Sequence, residues 1–459
     1  MSHVEKSHAT SSARHSRTIL AVGLGHALEW YDWGIYATFV PFFAGQFFKS
    51  SDAVSAVLSS LAVFAVGFLA RPLGGLLIGR LSDRMGRKPM MVLTIGGMAG
   101  ASLIIGVAPT YATIGIGASV ILLLARIVQG LATGGELPSA QTYLSEMAPA
   151  EQRGRWSSVI YISSVGGNTI GVLLGLVLTV CLSHDEMTSY GWRIPFLVGS
   201  LFGVVALWIR RSLVETDAFM NQEVGRDTSV AAGRPVSQWP QIWLHRRQAF
   251  QVVGMSVGLT VVYYSWVIAA PAHAINAFDM DPTRALLAGV VSSLVLIVSL
   301  PLWGTFSDRV GRRPVLLIGT AGTAVAMFPL QALVRDSAWQ LGAAMTIAML
   351  LMGAALSVLP AAYAEIFPTG IRTLGLAVPY SIAVALFGGT APYLQEWVGN
   401  NVGRSAFTGY VVLLLLVSAL TIWALPETRG TNLAAPTDGS CTVESDTFNE
   451  PGRKEEQSA

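Results

Sequence analysis

The sequence predicts an all-α membrane protein of twelve transmembrane helices, arranged as two pseudo-symmetric six-helix bundles. Three observations predict it. Of 459 residues, 52% are hydrophobic and only 12% are charged, with a mean hydropathy of +0.55, whereas a soluble domain holds about 25% charged residues. Apolar runs of about 18 to 25 residues recur along the chain, each enough to cross about 30 Å of hydrocarbon. The two halves also repeat each other in order.

The runs place spans at 18–45, 54–79, 90–109, 114–144, 156–182 and 193–210, then at 248–273, 285–306, 314–334, 340–364, 374–398 and 405–425. They are too long and too uniformly apolar for barrel strands, so helices are the remaining way to satisfy the backbone in lipid. Residues 1–17 form a polar, basic N-terminal tail. The apolar stretch after it is longer than a signal-peptide core and ends in aromatics, so it reads as the first span. The first bundle is 18–210, a polar linker is 211–247 and the second bundle is 248–425. The tail 426–459 has no apolar period and is expected to be disordered.

Lys and Arg set the orientation. With the N-terminus inside, the inner connections carry Arg84, Arg87, Lys88, Arg153, Arg210, Arg211, Arg309, Arg312, Arg313 and Arg372 among others, and the outer ones only Lys49, Arg193, Arg284, Arg335 and Arg404. The bias is roughly fourfold and puts both termini in the cytoplasm. A net charge of +2 does not suggest nucleic acid as a partner. Cys181 and Cys441 form no metal or redox spacing, and no HExxH, P-loop or nucleophile elbow is present, so an enzyme is not expected. No metal or cofactor is implied.

The repeat is specific. "GRLSDRMGRKP" (79–89) returns as "GTFSDRVGRRP" (304–314), and Pro138 is echoed by Pro360. "SEMAPAEQRG" (145–154) returns as "AEIFPTGIRT" (364–373), carrying Glu146 onto Glu365 and Arg153 onto Arg372. "VETD" (214–217) is echoed by "PETR" (426–429). Two related bundles suggest a transporter rocking about a midplane site.

Charges inside the spans are the candidate site. Glu29 and Asp32 share a helical face in span one, extended by His26 and Tyr36. An ionised group at mid-bilayer costs on the order of 2.5–3.5 kcal/mol on insertion scales. Either the acids lie near a wet end of the helix and only orient it, or at least one binds and releases a proton, with Asp32 the first choice. Arg71 and Arg126 are the buried cations of spans two and four. Arginine stays charged, so each needs an anion or a wet cavity. They either bridge to Glu29, Asp32 or Glu136, or grip a substrate carboxylate bidentately. Both hold if substrate and proton displace the bridge, which would couple the two fluxes.

Gln129 shares the face of Arg126 and bonds either substrate or another helix. Glu136, beyond two glycines, reads as structural. Tyr263, Tyr264 and Trp266 in span seven are either interfacial or substrate-lining, as is Tyr380 in span eleven. The second half shows no intramembrane acid like Asp32, which assigns proton handling to the first half. Gly167, Gly171 and Gly175 form a small-residue ridge in span five for close packing.

"GRLSDRMGRKP" after span two, with its copy after span eight, resembles the signature loop of the major facilitator superfamily. "EWYDW" (29–33), "ARPLGG" (70–75), "RIVQGLATGGE" (126–136), "GWRIPF" (191–196) and "LFGGTAPY" (386–393) narrow the resemblance to its metabolite:proton symporter branch, with the first half most similar to α-ketoglutarate permeases. The likeness runs from about residue 18 to 430. It implies the major facilitator fold and import of a small carboxylate with protons by alternating access, in a bacterial inner membrane and as a monomer. It supports a coupling role for Arg126 more than a ligand role for Arg71. It also implies a gate built from Asp83, Arg84, Arg87, Asp308, Arg309 and Arg312, with Glu146, Arg153, Glu365 and Arg372 beside it. The alternatives are a symporter of proline, betaine, shikimate or aromatic acids. Efflux is disfavoured because span five lacks the Gly-Pro pair of the superfamily's antiporters. The tail shows no coiled-coil heptads, which lowers the osmolyte reading. No signalling domain is appended, which counts against a membrane sensor.

Overall fold

A computed structural model describes residues 3–49, 52–85, 87–134, 136–212, 243–368, 371–431 and 433. Most of the linker 211–247 and the tail beyond Leu433 lie outside the described residues, so their predicted character is untouched here. Among the described residues every regular element is helical.

Twelve rods follow one another among the described residues. The first bundle comprises α1 (His3–Phe47), α2 (Ala53–Met85), α3 (Arg87–Val107), α4 (Gly117–Thr133 continued by Glu136–Met147), α5 (Arg153–Cys181) and α6 (Arg193–Ser212). The second comprises α7 (Arg246–Val262, continued by Tyr263–Ile268 and Ala270–Phe278), α8 (Pro282–Val310), α9 (Arg312–Leu333), α10 (Ala338–Ile366), α11 (Arg372–Ala383, continued by Val384–Gly388 and Ala391–Asn401) and α12 (Arg404–Trp423). Eight rods are long and apolar enough to cross a membrane by length and composition alone, or nine counting a bent pair at His184–Trp208. The rods that miss that test include α1, which carries Glu29 and Asp32, and the shorter apolar lengths of α3 and α4.

Two differences from the expected spans have local causes. α1 is helical from His3, well before residue 18, because nothing in the polar segment breaks a helix. α4, α7 and α11 are broken rods. α4 parts at Gly134, and α7 and α11 each contain a π-helical stretch, at Tyr263–Ile268 and Val384–Gly388. Such stretches re-aim side chains and collect at functional sites.

Burial sorts the rods. In the most apolar stretch of α7 78% of residues are buried and in that of α10 67%, against 33% in α12. α7 and α10 therefore line the interior, and α12 lies at the lipid. α3, α6, α9 and α12 carry the outward apolar faces, with Leu103, Leu201, Val325 and Leu420 all exposed. Large exposed apolar patches of this kind mark a lipid surface. The bundles meet chiefly along α5 and α8, and again where α2 lies beside α11.

Close helix approach positions the charges. α2 and α4 touch backbone to backbone: a Cβ on Gly130 would stand 1.9 Å from the Gly67 carbonyl oxygen. Gly130 lies four residues past Arg126, and Gly67 four before Arg71. The crossing thus sets the distance between the two arginines. The glycine ridge of α5 likewise beds on α1, where a Cβ on Gly167 would lie 1.9 Å from the Ala27 carbonyl oxygen. Overpacking such a contact costs typically about 1–3 kcal/mol and more when backbone must move. Gly130→Val is expected to lower the melting temperature in detergent by several degrees. Gly100→Ala, whose added Cβ meets nothing within 4 Å, is expected to leave it unchanged, and equal melting of the two variants would refute this account of the crossing.

Candidate transport site

One face of α1 carries the polar stripe read from the sequence. Glu29, Asp32, Arg71 and Arg126 are 2%, 4%, 6% and 0% exposed, so none faces the lipid surface or bulk water. The Arg71 Nη2 lies 3.3 Å from Glu29 Oε1. The Arg71 guanidinium is also sandwiched between the rings of Trp33 and Phe68, at 4.4 and 4.2 Å from their centroids. Cation–π contact partly replaces lost hydration for such a group. Neither Glu29 oxygen has a hydrogen-bond partner among the described residues.

Asp32 is held differently. Ser102 of α3 donates to its Oδ1, and the Gln129 amide donates to its Oδ2 and, at 2.9 Å, to Ser102 Oγ. Gln129 thus bridges helices here and keeps one free acceptor, its Oε1. Arg126 makes no ion pair within 4 Å among the described residues. Its guanidinium carbon lies 3.8 Å from the Tyr36 ring centroid and 5.4 Å from that of Trp33. None of its three side-chain nitrogens has a hydrogen-bond partner among the described residues. The Tyr36 hydroxyl donates to the Ser60 carbonyl at 2.9 Å, so Tyr36 offers this centre its ring face.

The second bundle supplies an aromatic wall. Tyr263 and Tyr264, in the π turn of α7, are buried, and their hydroxyls lack partners. Tyr264 meets Phe68 edge to face at 5.1 Å, and Trp30 meets Tyr263 at 5.2 Å. Tyr380 of α11 lies 5.9 Å from Tyr363 of α10. These tyrosines sit inside the molecule and not in an interfacial belt.

Sequence reasoning did not single out Ser102, Tyr161 or Tyr363 as part of this region, nor assign roles to Trp33 and Phe68 as stacking partners of arginine. Their residue types carry no signal apart from the fold. It also passed over one acid. Glu396 of α11 is 6% exposed, and its Oε1 lies 2.7 Å from Nδ1 of His273 on α7. The second bundle therefore does hold a buried carboxylate within a span, contrary to expectation. The signal was present in the acid's position inside the predicted span 374–398.

The repeated segments meet at one end of the molecule. Arg153 donates to Glu365 at 2.9 Å, and Arg372 donates to Glu146 at 2.6 Å. Each acid thus pairs with the arginine of the other repeat, a self-complementary lock across the two bundles. Asp308 accepts from the backbone N–H of Gly154 and Arg155, at 2.8 and 2.9 Å, at the N-terminus of α5, where the helix dipole favours an anion. Arg312 donates to Asp308 at 2.6 Å. Gly311, with φ of 110°, turns the chain between α8 and α9, and Glu427 accepts from the backbone N–H of Arg312 and Arg313. Arg309 is exposed, and its carbonyl accepts from Arg429. The side chains of Asp83, Arg84, Arg87 and Glu136 lie outside the described residues.

Comparison with known proteins places this geometry in a family. The model for the Major Facilitator Superfamily matches residues 22–292, and that for the "Sugar (and other) transporter" family matches residues 231–436. The chain belongs to the major facilitator superfamily. It is 33% identical to the α-ketoglutarate permease of Escherichia coli K12, over 90% of this chain and 94% of that one. It is 30% identical to the proline/betaine transporter of Salmonella typhimurium, over 93% and 87%. A crystal structure of a D-xylose–proton symporter shares the fold with a TM-score of 0.67 at 20% identity, covering 90% of this chain and 98% of that one. This major facilitator protein is thus an integral membrane transporter and not an enzyme.

The lock yields a test. Removing one partner of a buried ion pair costs up to about 3–5 kcal/mol when the other is left uncompensated, and less here, since Glu365 keeps Arg312 Nε at 3.6 Å and the Thr428 hydroxyl at 2.7 Å. In a background without native cysteines, Arg153→Ala is expected to raise the alkylation rate of Ser157→Cys, at the α5 interface, at least about tenfold. The exchange Arg153→Glu with Glu365→Arg should restore part of the protection. An unchanged rate in Arg153→Ala would show that this pair does not hold the end closed.

Proposed function

We propose that the protein imports a small dicarboxylate, α-ketoglutarate or a close analogue, together with protons by alternating access. The observation that carries this reading is Arg126, a wholly buried guanidinium with no hydrogen-bond partner on any nitrogen among the described residues. A buried cation in that condition is a ready receptor for an anion, and arginine meets a carboxylate with two parallel hydrogen bonds. Arg71 is the second receptor. Its bridge to Glu29 is long at 3.3 Å and opens when Glu29 takes a proton. Two arginines set against the same Trp33 ring suit a substrate with two carboxylates. Likeness to an α-ketoglutarate permease supports the same class.

Roles then follow the chemistry. Glu29 and Asp32 hold and release the protons. Arg126 and Arg71 bind substrate, and Arg126 also senses the charge of Asp32. Gln129 passes from Asp32 to substrate once that acid is neutral. Tyr36 supports Arg126 with its ring, while Tyr263, Tyr264 and Tyr380 line the opposite side, the first two with hydroxyls that have no hydrogen-bond partner among the described residues. Asp308, Arg312, Arg153, Glu365, Arg372 and Glu146 form the gate on the side of the repeated loops. Asp83, Arg84, Arg87 and Arg309 belong to the same gate by the repeat. The excess of Lys and Arg on that side makes it cytoplasmic, with both termini there, and the bacterial relatives support an inner-membrane location for a monomer.

A second reading has one observation in its favour. Trp30, Tyr263 and Tyr264 cluster within 6.0 Å centroid to centroid, and aromatic groups of this kind also receive quaternary ammonium ions, as a betaine carrier requires. Two adjacent guanidiniums repel that cation, which favours the dicarboxylate.

Uptake into proteoliposomes, acid outside, distinguishes the two. α-Ketoglutarate is expected to accumulate and to be displaced by other dicarboxylates but not by betaine or proline. Arg126→Gln should weaken uptake by about thirtyfold or more, since a buried charge-assisted contact is worth about 2 kcal/mol or above. Asp32→Asn should reduce the accumulation that a pH gradient drives while exchange of substrate for substrate persists. Accumulation of betaine in preference to every carboxylate would overturn the proposal.

A further inference from the structure

The ionic groups of the chamber sum to zero. From α1 come the carboxylates of Glu29 and Asp32, from α2 the cation of Arg71 and from α4 that of Arg126, all at most 6% exposed. The other groups facing them carry no charge. Ser102 of α3, Ser164 of α5 and Gln129 of α4 are neutral, as are the phenols Tyr36, Tyr161, Tyr263, Tyr264 and Tyr380. His26, on the same stripe, meets the indole N–H of Trp30 and the Ser164 hydroxyl at its Nε2, at 3.0 and 2.8 Å, and its Nδ1 lies 3.8 Å from Glu29 Oε2. The charge sum counts this imidazole in its neutral form, the form in which a ring nitrogen accepts the indole N–H.

Building on the dicarboxylate reading, we infer that the transporter carries a dianion with two protons, and a monoanion with one, so that transport is electroneutral. A dianion alone would leave two uncompensated negative charges in a buried chamber. Each would cost several kcal/mol after relaxation. One proton leaves one such charge. Two protons, one bound by each carboxylate of Glu29 and Asp32, return the sum to zero. The neutral Glu29 then releases Arg71, and both guanidiniums face the substrate. On the inner side the two O–H bonds break, the protons leave with the dianion, and the carboxylates return to their empty-state partners. The empty carrier also sums to zero, so neither half of the cycle moves net charge.

Two consequences are measurable. Accumulation at equilibrium rises about tenfold per pH unit for each proton carried, since one unit corresponds to about 1.36 kcal/mol. Two protons give about a hundredfold. Membrane potential adds nothing.

The experiment uses the full chain in proteoliposomes with labelled α-ketoglutarate, and with whichever anion the uptake panel favours if it is another. The pH gradient and a valinomycin-set potassium potential are varied separately. Wild type is expected to show the hundredfold slope for a dianion, or the tenfold slope for a monoanion, with no response to potential in either case. In Glu29→Gln one proton site is gone. The empty chamber then sums to +1 and the dianion-loaded one to zero, so each cycle moves one negative charge inward. The slope should fall to about tenfold, and an inside-negative potential should now oppose uptake. A simple structural lesion lowers the rate without changing slope or voltage response. Wild-type uptake that responds to potential, or a tenfold slope with a dianion, overturns the inference and leaves the dicarboxylate reading standing. Failure to accumulate any carboxylate overturns both.

Discussion

Every charge placed in the hydrocarbon layer must find its solvation inside the protein, and the interior of this transporter is organised around that demand. Glu29 and Arg71 answer it with each other, at a separation of 3.3 Å. Asp32 answers it with neutral donors from two other helices, Ser102 and Gln129. Arg126 answers it with the ring faces of Tyr36 and Trp33. A π face is a poor substitute for a carboxylate, so Arg126 is the least satisfied of the four. Under the proposed function, that unmet demand for an anion at one position sets what the site takes. It depends on backbone contact between α2 and α4 at Gly67 and Gly130, because that crossing fixes how close the two guanidiniums lie.

The ion pairs between the bundles show a second use of the same physics. Buried ion pairs are weak contributors to stability, because desolvation offsets most of the attraction. They are sensitive to disruption, since breaking one strands its partner. Such a pair suits a lock better than a staple. Here the pairing is built twice from one repeated pattern, buried at Arg153–Glu365 and open to solvent on the acid's side at Arg372–Glu146. Glu146 and Glu365 occupy matching places in the repeat, as do Arg153 and Arg372, and each acid reaches across to the other copy's arginine. A pseudo-twofold relation between bundles makes one favourable contact into two. Asp308 adds a carboxylate at the α5 N-terminus, bound by two backbone N–H groups that have no helical partner of their own.

The bundles divide their labour unequally despite the repeat. The first supplies charge, and the second supplies aromatic surface through a π turn that holds Tyr263 and Tyr264 inward. The second bundle is nevertheless not free of titratable groups, since His273 and Glu396 form a buried pair beside Ala37 and Val40 of α1. An aromatic wall thus stands opposite a charged one.

Much of this was legible without coordinates. Apolar run length and the poverty of charge determine a helical membrane protein, because lipid offers the backbone no partner outside the chain. Ordered echoes determine two related bundles, and isolated charges in the runs mark Glu29, Asp32, Arg71 and Arg126, because their insertion cost demands a use. Pairing was not legible. Composition could not say that Glu29 takes Arg71 while Asp32 takes neutral donors, nor that the repeat's arginines exchange acids. Nor could it say that Glu396 is covered, or that Trp33 and Phe68 enclose a guanidinium. A span's sequence specifies that a helix crosses the membrane and which residues share a face. Which neighbour each face meets, and at what distance, is decided only when twelve rods pack, because those contacts join residues tens to hundreds of positions apart.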